Sequence, residues 1–220
     1  MNKARNAILA RLKKQTKPNF SKHIQFASKP SPHLNRGKTS ALLIKKLEEN
    51  RVEVHCVNSK NFEDTLVQVA LDRKLNTWLI GKNLSKIEQA GTALTAASPD
   101  ISLVHYTQDY ETLKKTLFHD IDASVTLAKT AIAETGTLVL IPDQNEPRMM
   151  SLVPPVHIVL LNECDILNNF QQLVDNPPWS TQKMPSNIVF ISSPSKTADI
   201  QQTLAYGAHG PKTLIVFILS

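Results

Sequence analysis

Cysteine is nearly absent from this chain. Two occur in 220 residues, Cys56 and Cys164, far apart and in no C-x-x-C spacing. That argues against a disulfide framework, a zinc site and a cysteine-ligated cluster held within this chain. A reducing cytoplasm is the expected setting. Glycine is scarce too: the six glycines include no G-x-G pair, so neither a dinucleotide fingerprint nor a G-x-x-x-x-G-K phosphate loop is present. H-E-x-x-H, paired-histidine and G-x-S-x-G motifs are also missing. The residues therefore point to no cofactor and no metal. No run of about 18 apolar residues occurs, so no transmembrane segment is expected. The start, MNKARNAILARLKK, lacks the long apolar core and small-residue cleavage site of a signal peptide.

What is present is unevenly spread. Residues 1–51 hold thirteen lysines and arginines against two acidic residues, a net +11. The remaining residues hold twelve against seventeen, a net −5. The basic character belongs to the amino-terminal quarter and not to the fold as a whole. Such an arm suits a nucleic acid, an anionic surface or an acidic partner. Phe20 and Phe26 are its only aromatics and no nucleic-acid motif appears, so a solvated extension or a partner-docking segment is the favoured reading and nucleic acid is not expected. The chain is accordingly divided into a basic extension, 1–35, and an α/β domain, 36–220.

Periodicity sets out the elements. Asn6–Gln15 has Ile8, Leu9 and Leu12 on one helical stripe, and Thr16–Asn35, with Pro18, Pro30 and Pro32, reads as a linker. A helix is predicted over Thr39–Asn50, a strand over Val52–Val57, a helix over Phe62–Leu75 and a strand over Thr77–Ile80. A short helix at Leu84–Ala90 and a strand at Ser102–Tyr106 follow. This alternation predicts a parallel sheet with crossover helices. Close-spaced strands are predicted at Ser124–Thr126, Ala131–Ala133 and Thr137–Ile141, then a strand at His157–Leu161 and a helix at Ile166–Val174. Asn187–Ser192 is a predicted strand feeding a helix that runs to about Tyr206. Lys212–Leu219, almost wholly apolar, is predicted to lie inside the sheet.

Three stretches carry candidate chemistry. In SPSKTADI, Ser193 and Pro194 suit an N-cap and first helical position, with Ser195 or Thr197 as alternative caps and Gly207 as the C-cap. A capped helix explains most of these residues but not Lys196. A cation in the first turn opposes the helix dipole at a cost of roughly 0.3–1 kcal/mol, offset if Lys196 pairs with Asp199 or holds an anion. In AIAETGTLVL, Gly136 permits the positive φ of a tight turn, and Glu134, Thr135 and Thr137 either face a cleft or decorate a solvent-facing hairpin. In GAHGP, His209 either reaches the region of Lys196 or satisfies backbone groups in the bend. Arg148 is an anion clamp or a surface charge. His157, opening an apolar strand after Pro154-Pro155, reads as a buried structural histidine.

These stretches, with the loop from Arg148 to SLVPPVHIVLL, stand in the order found in the LUD-domain family, and the chain resembles the lactate utilisation C branch of that family across most of residues 40–220. Ser193 departs from the pattern, since relatives carry glycine there. The resemblance implies a three-layer α/β sandwich similar to the NagB/RpiA/CoA-transferase-like fold. It implies a part in bacterial oxidation of L-lactate to pyruvate, beside partner proteins that carry iron–sulfur clusters. It transfers no catalytic residue. Two roles follow as expectations. One is a non-redox subunit that organises iron–sulfur partners. The other is a domain that binds or acts on a small carboxylate, phosphate or acyl anion, with Glu134, Lys196 and His209 lining one cleft.

Overall fold

Val156–Asn162 and Thr213–Leu219 are almost unbroken apolar runs because both faces of each strand are covered. The computed structural model that shows this describes residues 2–15, 36–82, 85–106, 110–175, 185–198, 204–206 and 209–220. Contacts divide the chain into two units, Met1–Ser31 and Pro32–Ser220. In the first, the described residues form a single helix, α1 (Asn2–Gln15), with Ile8, Leu9 and Leu12 exposed. The linker expected at Thr16–Asn35 lies outside the described residues.

The second unit opens with α2 (Arg36–Glu49), β1 (Glu53–Val57), α3 (Phe62–Asp72) and β2 (Thr77–Ile80). It continues through α4 (Ser85–Ala97), β3 (Ser102–His105), α5 (Tyr110–His119) and β4 (Ala123–Leu127). A hairpin, β5 (Thr130–Ile132) and β6 (Thr137–Leu140), precedes β7 (Val156–Asn162), β8 (Ile166–Leu167) and α6 (Phe170–Asp175). Last come β9 (Val189–Ile191), β10 (Lys196–Ala198), β11 (Leu204–Tyr206) and β12 (Thr213–Leu219). Six strands form one parallel sheet in the order β1-β12-β7-β4-β2-β3. A smaller mixed sheet has the order β8-β5-β6-β9. The fold is thus mixed α/β, with a mostly parallel sheet flanked by helices. As expected, β12 is interior, paired on both sides.

Alternation along the central strands sorts side chains between two cores. Ile158 and Leu160 of β7 and Ile215, Phe217 and Leu219 of β12 pack against α3 and α4 through Phe62, Leu66, Ile87 and Leu94. Val159, Leu161, Leu214, Val216 and Ile218 face the opposite way, against Leu43 and Leu47 of α2 and Leu138 and Leu140 of the small sheet. Farther along that second face, Leu79 packs with Leu113 and Leu117 of α5 and with Met150. Helices α2 and α3 both end with 6→1 and 5→2 backbone bonds: Val52 and Arg51 donate to Leu47 and Glu48, Leu75 and Lys74 to Ala70 and Leu71. The residues in the left-handed conformation there are Arg51 and Lys74, where glycine is the usual choice.

Three expectations require correction. The helix predicted over Ile166–Val174 is a short strand and then a helix. β8 pairs with β5, and Asn169 Oδ1 accepts from Gln172 N–H, so the helix starts only at Phe170. Helix α5 falls where the sequence predicts no element; among its described side chains Leu113 and Leu117 are the buried ones. The third correction concerns the site. The segment after Ser195 does not begin a helix; Lys196–Ala198 pairs antiparallel with Leu204–Tyr206. Pro194 biases Ser193 toward extended backbone, Ser193 Oγ donates to the Pro194 carbonyl instead of capping a helix, and Ser195 N–H is taken by the Pro211 carbonyl. Lys196 therefore opposes no helix dipole. Leu84, Asp199 and Gly207 lie outside the described residues.

Candidate ligand-binding site

The second face of the large sheet is not apolar throughout. Between the α2 core and the α5 core, Ser124, Thr126 and His157 are buried side by side on β4 and β7. Ser124 Oγ donates to the Met150 carbonyl at 2.6 Å. Thr126 Oγ1 and His157 Nε2 share a hydrogen bond of 2.8 Å. Burial holds the His157 imidazole down to about 3, so it stays neutral near pH 7. Its Nδ1 is buried with no hydrogen-bond partner among the described residues, a situation that costs roughly 1–3 kcal/mol and calls for an explanation.

His157 lines the floor of a cavity of about 440 Å³, within the usual size range of small-molecule sites. Its walls are β9 with Ser192 and Ser193, the start of the β10 strand at Ser195 and Lys196, the bend His209–Pro211, and Ser151 with Leu152. Ser151, whose hydroxyl donates to the Arg148 carbonyl, is buried. Lys196 and His209 are exposed at the margin. The arrangement offers a cation and several hydroxyls around a space, which is chemistry suited to binding an anion. The cavity lies near the amino ends of β7 and β12, which contribute His157 and Leu214 from their second positions. Open parallel sheets more often bind at the carboxyl ends.

The sequence candidates divide. Ser195, Lys196 and His209 share this cavity. Thr197 lies in β10. Glu134 and Thr135 are exposed in the β5–β6 turn and do not line the cavity; Glu134 N–H donates to the Asn168 carbonyl. The turn nevertheless touches the cavity wall through hydroxyls: Thr135 Oγ1 bonds Thr137 Oγ1 at 2.7 Å, and Thr137 Oγ1 bonds Ser192 Oγ at 2.8 Å. Gly136, at φ 63°, packs on α2, and a Cβ there would come 2.7 Å from Lys46 Cβ. Its role is thus to seat the hairpin. Arg148 is exposed and lines a second, narrower cleft with Glu146, Thr126 and Ser151.

Glu146 is a residue that sequence reasoning missed. Its Oε1 accepts from Leu127 N–H at 3.0 Å, and Gly81 leaves it room: a Cβ at Gly81 would lie 2.8 Å from Glu146 Cγ. Burial, countered by the Leu127 bond and reinforced by Asp143, raises its carboxyl to about 7. Ser151 borders both clefts, and the Thr126–His157 bond joins their floors. Ser124 and Thr126 were also overlooked. The available signal was two hydroxyls at alternate positions of the otherwise apolar strand ASVTL.

At the carboxyl ends of β7 and β12 lies another cavity, of about 420 Å³, lined by Lys86, Asn162, Glu163, Cys164, Leu219 and Ser220. The Glu163 carboxylate there works against an anion. Cys56 and Cys164 are both free, and desolvation together with Glu163 and Glu48 raises the Cys56 thiol, which disfavours a nucleophilic thiolate. Among the described residues, no cluster of three or more His, Cys, Asp or Glu side chains is placed to hold a metal ion. Among them also, no helix is long and apolar enough to cross a membrane.

Fold and cavity together define an α/β protein with a candidate ligand site between a parallel sheet and a smaller mixed one. More particularly, the chain belongs to the LUD-domain family, which it matches over residues 41–219. It is 37% identical to an uncharacterised protein of Neisseria meningitidis serogroup B, over 77% of this chain and 72% of that protein. It is 26% identical to lactate utilization protein C of Halalkalibacterium halodurans, over 86% of this chain and 84% of that one. A DUF162 family protein from Deinococcus radiodurans shares the fold, with a TM-score of 0.63 at 17% identity, covering 86% of this chain and all of that one.

Proposed function

We propose that this chain is a component of a bacterial lactate-utilisation system that oxidises L-lactate to pyruvate. In this reading it works in the cytoplasm as a non-redox subunit beside iron–sulfur partner proteins, and it binds a small carboxylate in the cavity under Lys196. The observation that carries the reading is the convergence of Ser195, Lys196 and His209 on one cavity floored by a neutral histidine, in a chain similar to lactate utilization proteins C. A lysine is suited to fix the carboxylate as a point charge. The domain boundary at 35/36 and a docking role for the basic extension belong to the same proposal.

The test is purification of the tagged full-length protein from its own bacterium, grown with and without L-lactate, with iron analysis of what co-purifies. A lactate-dependent, iron-containing complex supports the proposal. An iron-free protein alone under both conditions contradicts it. A second reading, favoured by a cavity larger than a three-carbon acid needs, is binding or turnover of a bulkier carboxylate, phosphate or acyl compound, as the NagB/RpiA/CoA-transferase-like resemblance implies. It predicts a thermal shift with such anions and none with lactate.

A further inference from the structure

We infer that α1 is a membrane-surface anchor: it lies on an anionic lipid bilayer, with Ile8, Leu9 and Leu12 sunk toward the acyl chains and its basic residues at the headgroups. The inference gives a surface to the docking role proposed for the basic extension and rests on that reading alone; the lactate cavity plays no part in it. Its ground is an apolar face left open on a helix that does not stand by itself. Ile8 is 60%, Leu9 39% and Leu12 53% exposed. All three fall within about 100° of one another around the helix axis, the width of a docking stripe. A helix of 14 residues is marginal in water unless such a stripe is covered, and it is too short to cross a bilayer.

Charge decides what covers it. α1 carries Lys3, Arg5, Arg11, Lys13 and Lys14 and no acid, and the first acidic residue of the chain is Glu48. The sequence after the helix repeats the mixture, with Lys17, Lys22 and Lys29 interleaved with Phe20, Ile24 and Phe26. Helices that pair with one protein commonly set their register with charges of both signs. One sign throughout fits a surface whose negative charge is continuous, as at the cytoplasmic leaflet. A nucleic acid offers that charge too, but its phosphate backbone gives aliphatic side chains nothing to enter. A bilayer meets both demands, apolar depth and anionic headgroups. Arg5 lies on the same side as the stripe and is exposed. An arginine there rests its stem on the apolar layer and keeps its guanidinium among the phosphates. The attachment is peripheral and reversible, since it uses a short stripe and charges that salt screens.

The experiment is sedimentation of the full-length protein with vesicles of phosphatidylcholine alone and of phosphatidylcholine mixed with phosphatidylglycerol. Two variants separate the two parts of the surface. Ile8→Gln/Leu12→Gln removes the stripe and keeps every charge; Arg5→Gln/Arg11→Gln removes charge and keeps the stripe. Wild type is expected to sediment with the mixed vesicles and not with phosphatidylcholine. Each double variant weakens that binding by about tenfold or more, the worth of two basic residues at an anionic surface or of two aliphatic side chains at the interface. Affinity for L-lactate stays at the wild-type value in both, which keeps a failure of anchoring distinct from a failure of the cavity. Equal sedimentation with both vesicle types, none with either, or binding that survives loss of the stripe overturns the inference and leaves the cavity reading as it stands. Amide hydrogen exchange reads the same point without substitution: residues 2–15 of wild type are expected to gain protection with the mixed vesicles. Protection that comes from DNA or from polyglutamate and not from these vesicles assigns the helix to a nucleic acid or an acidic protein and contradicts the inference.

Discussion

The two faces of the six-stranded sheet follow different rules. The face under α3 and α4 is one continuous apolar cluster, from Val57 to Leu219, with Trp78 and Phe217 fully buried in it. The other face is two apolar clusters separated by Ser124, Thr126 and His157. The same strands build both, so the difference lies in the side chains and not in the backbone. One face maximises burial. The other gives up apolar contact for hydrogen bonds, and both the cavity and the narrow cleft open beside that concession. Stability should concentrate on the first face and ligand recognition on the second.

The largest break in this comparison is Phe217→Ala. Phe217 stacks on His55 and meets Phe62 edge-on at 5.9 Å. Its truncation is expected to cost about 3–5 kcal/mol in denaturant unfolding, with ligand affinity of the folded fraction unchanged. On the other face, Gly136→Ala combines a positive φ with a Cβ pressed on Lys46 and is expected to cost about 2–3 kcal/mol. Unlike Phe217→Ala, it should also weaken carboxylate binding, because Thr137 ties that turn to Ser192 in the cavity wall.

Glu146 separates the faces by pH. Its folded carboxyl titrates near 7, above the ordinary 4.5, so the folded state holds a proton that the unfolded chain releases first. Its stabilising contribution is complete below about pH 4.5 and is lost as pH rises through 7, a fall of about 1–3 kcal/mol once partial exposure is allowed for. Glu146→Gln should flatten that part of the stability profile; an unchanged slope between pH 5 and about 8 would count against the assignment. The smallest effect expected is a gain. Lys74→Gly at the end of α3 relieves a left-handed φ of 54° and should add about 1 kcal/mol, or about 2–4 °C in Tm.

The apolar face was legible in the sequence and the polar one was not. Runs such as TLIVFIL and HIVLL announce strands covered on both sides, and the alternation of Phe62–Asp72, Thr77–Ile80 and their successors announces a parallel sheet. The site was only half legible. Lys196 stands out as a cation in the first turn of a predicted helix and His209 as a polar residue in a bend, yet the segment holding Lys196 is a strand. Its pairing with Leu204–Tyr206 and its tie to Pro211 decided the matter. Neither partner is adjacent in sequence. His157 reads as a buried structural histidine and is buried; a single residue cannot reveal that Thr126, thirty-one positions away, satisfies one of its nitrogens and that no described residue satisfies the other. Glu134 stands out as an acid in a turn that holds Gly136, and that glycine serves the packing against α2.

The most direct test of the claim that recognition belongs to the polar face is the affinity of the full-length protein for L-lactate before and after Lys196→Ala. The account predicts saturable binding that weakens by about tenfold to a hundredfold when the ammonium is removed, as expected for a charge-assisted hydrogen bond. Equal affinity in the two proteins would place the anion elsewhere and contradict the account.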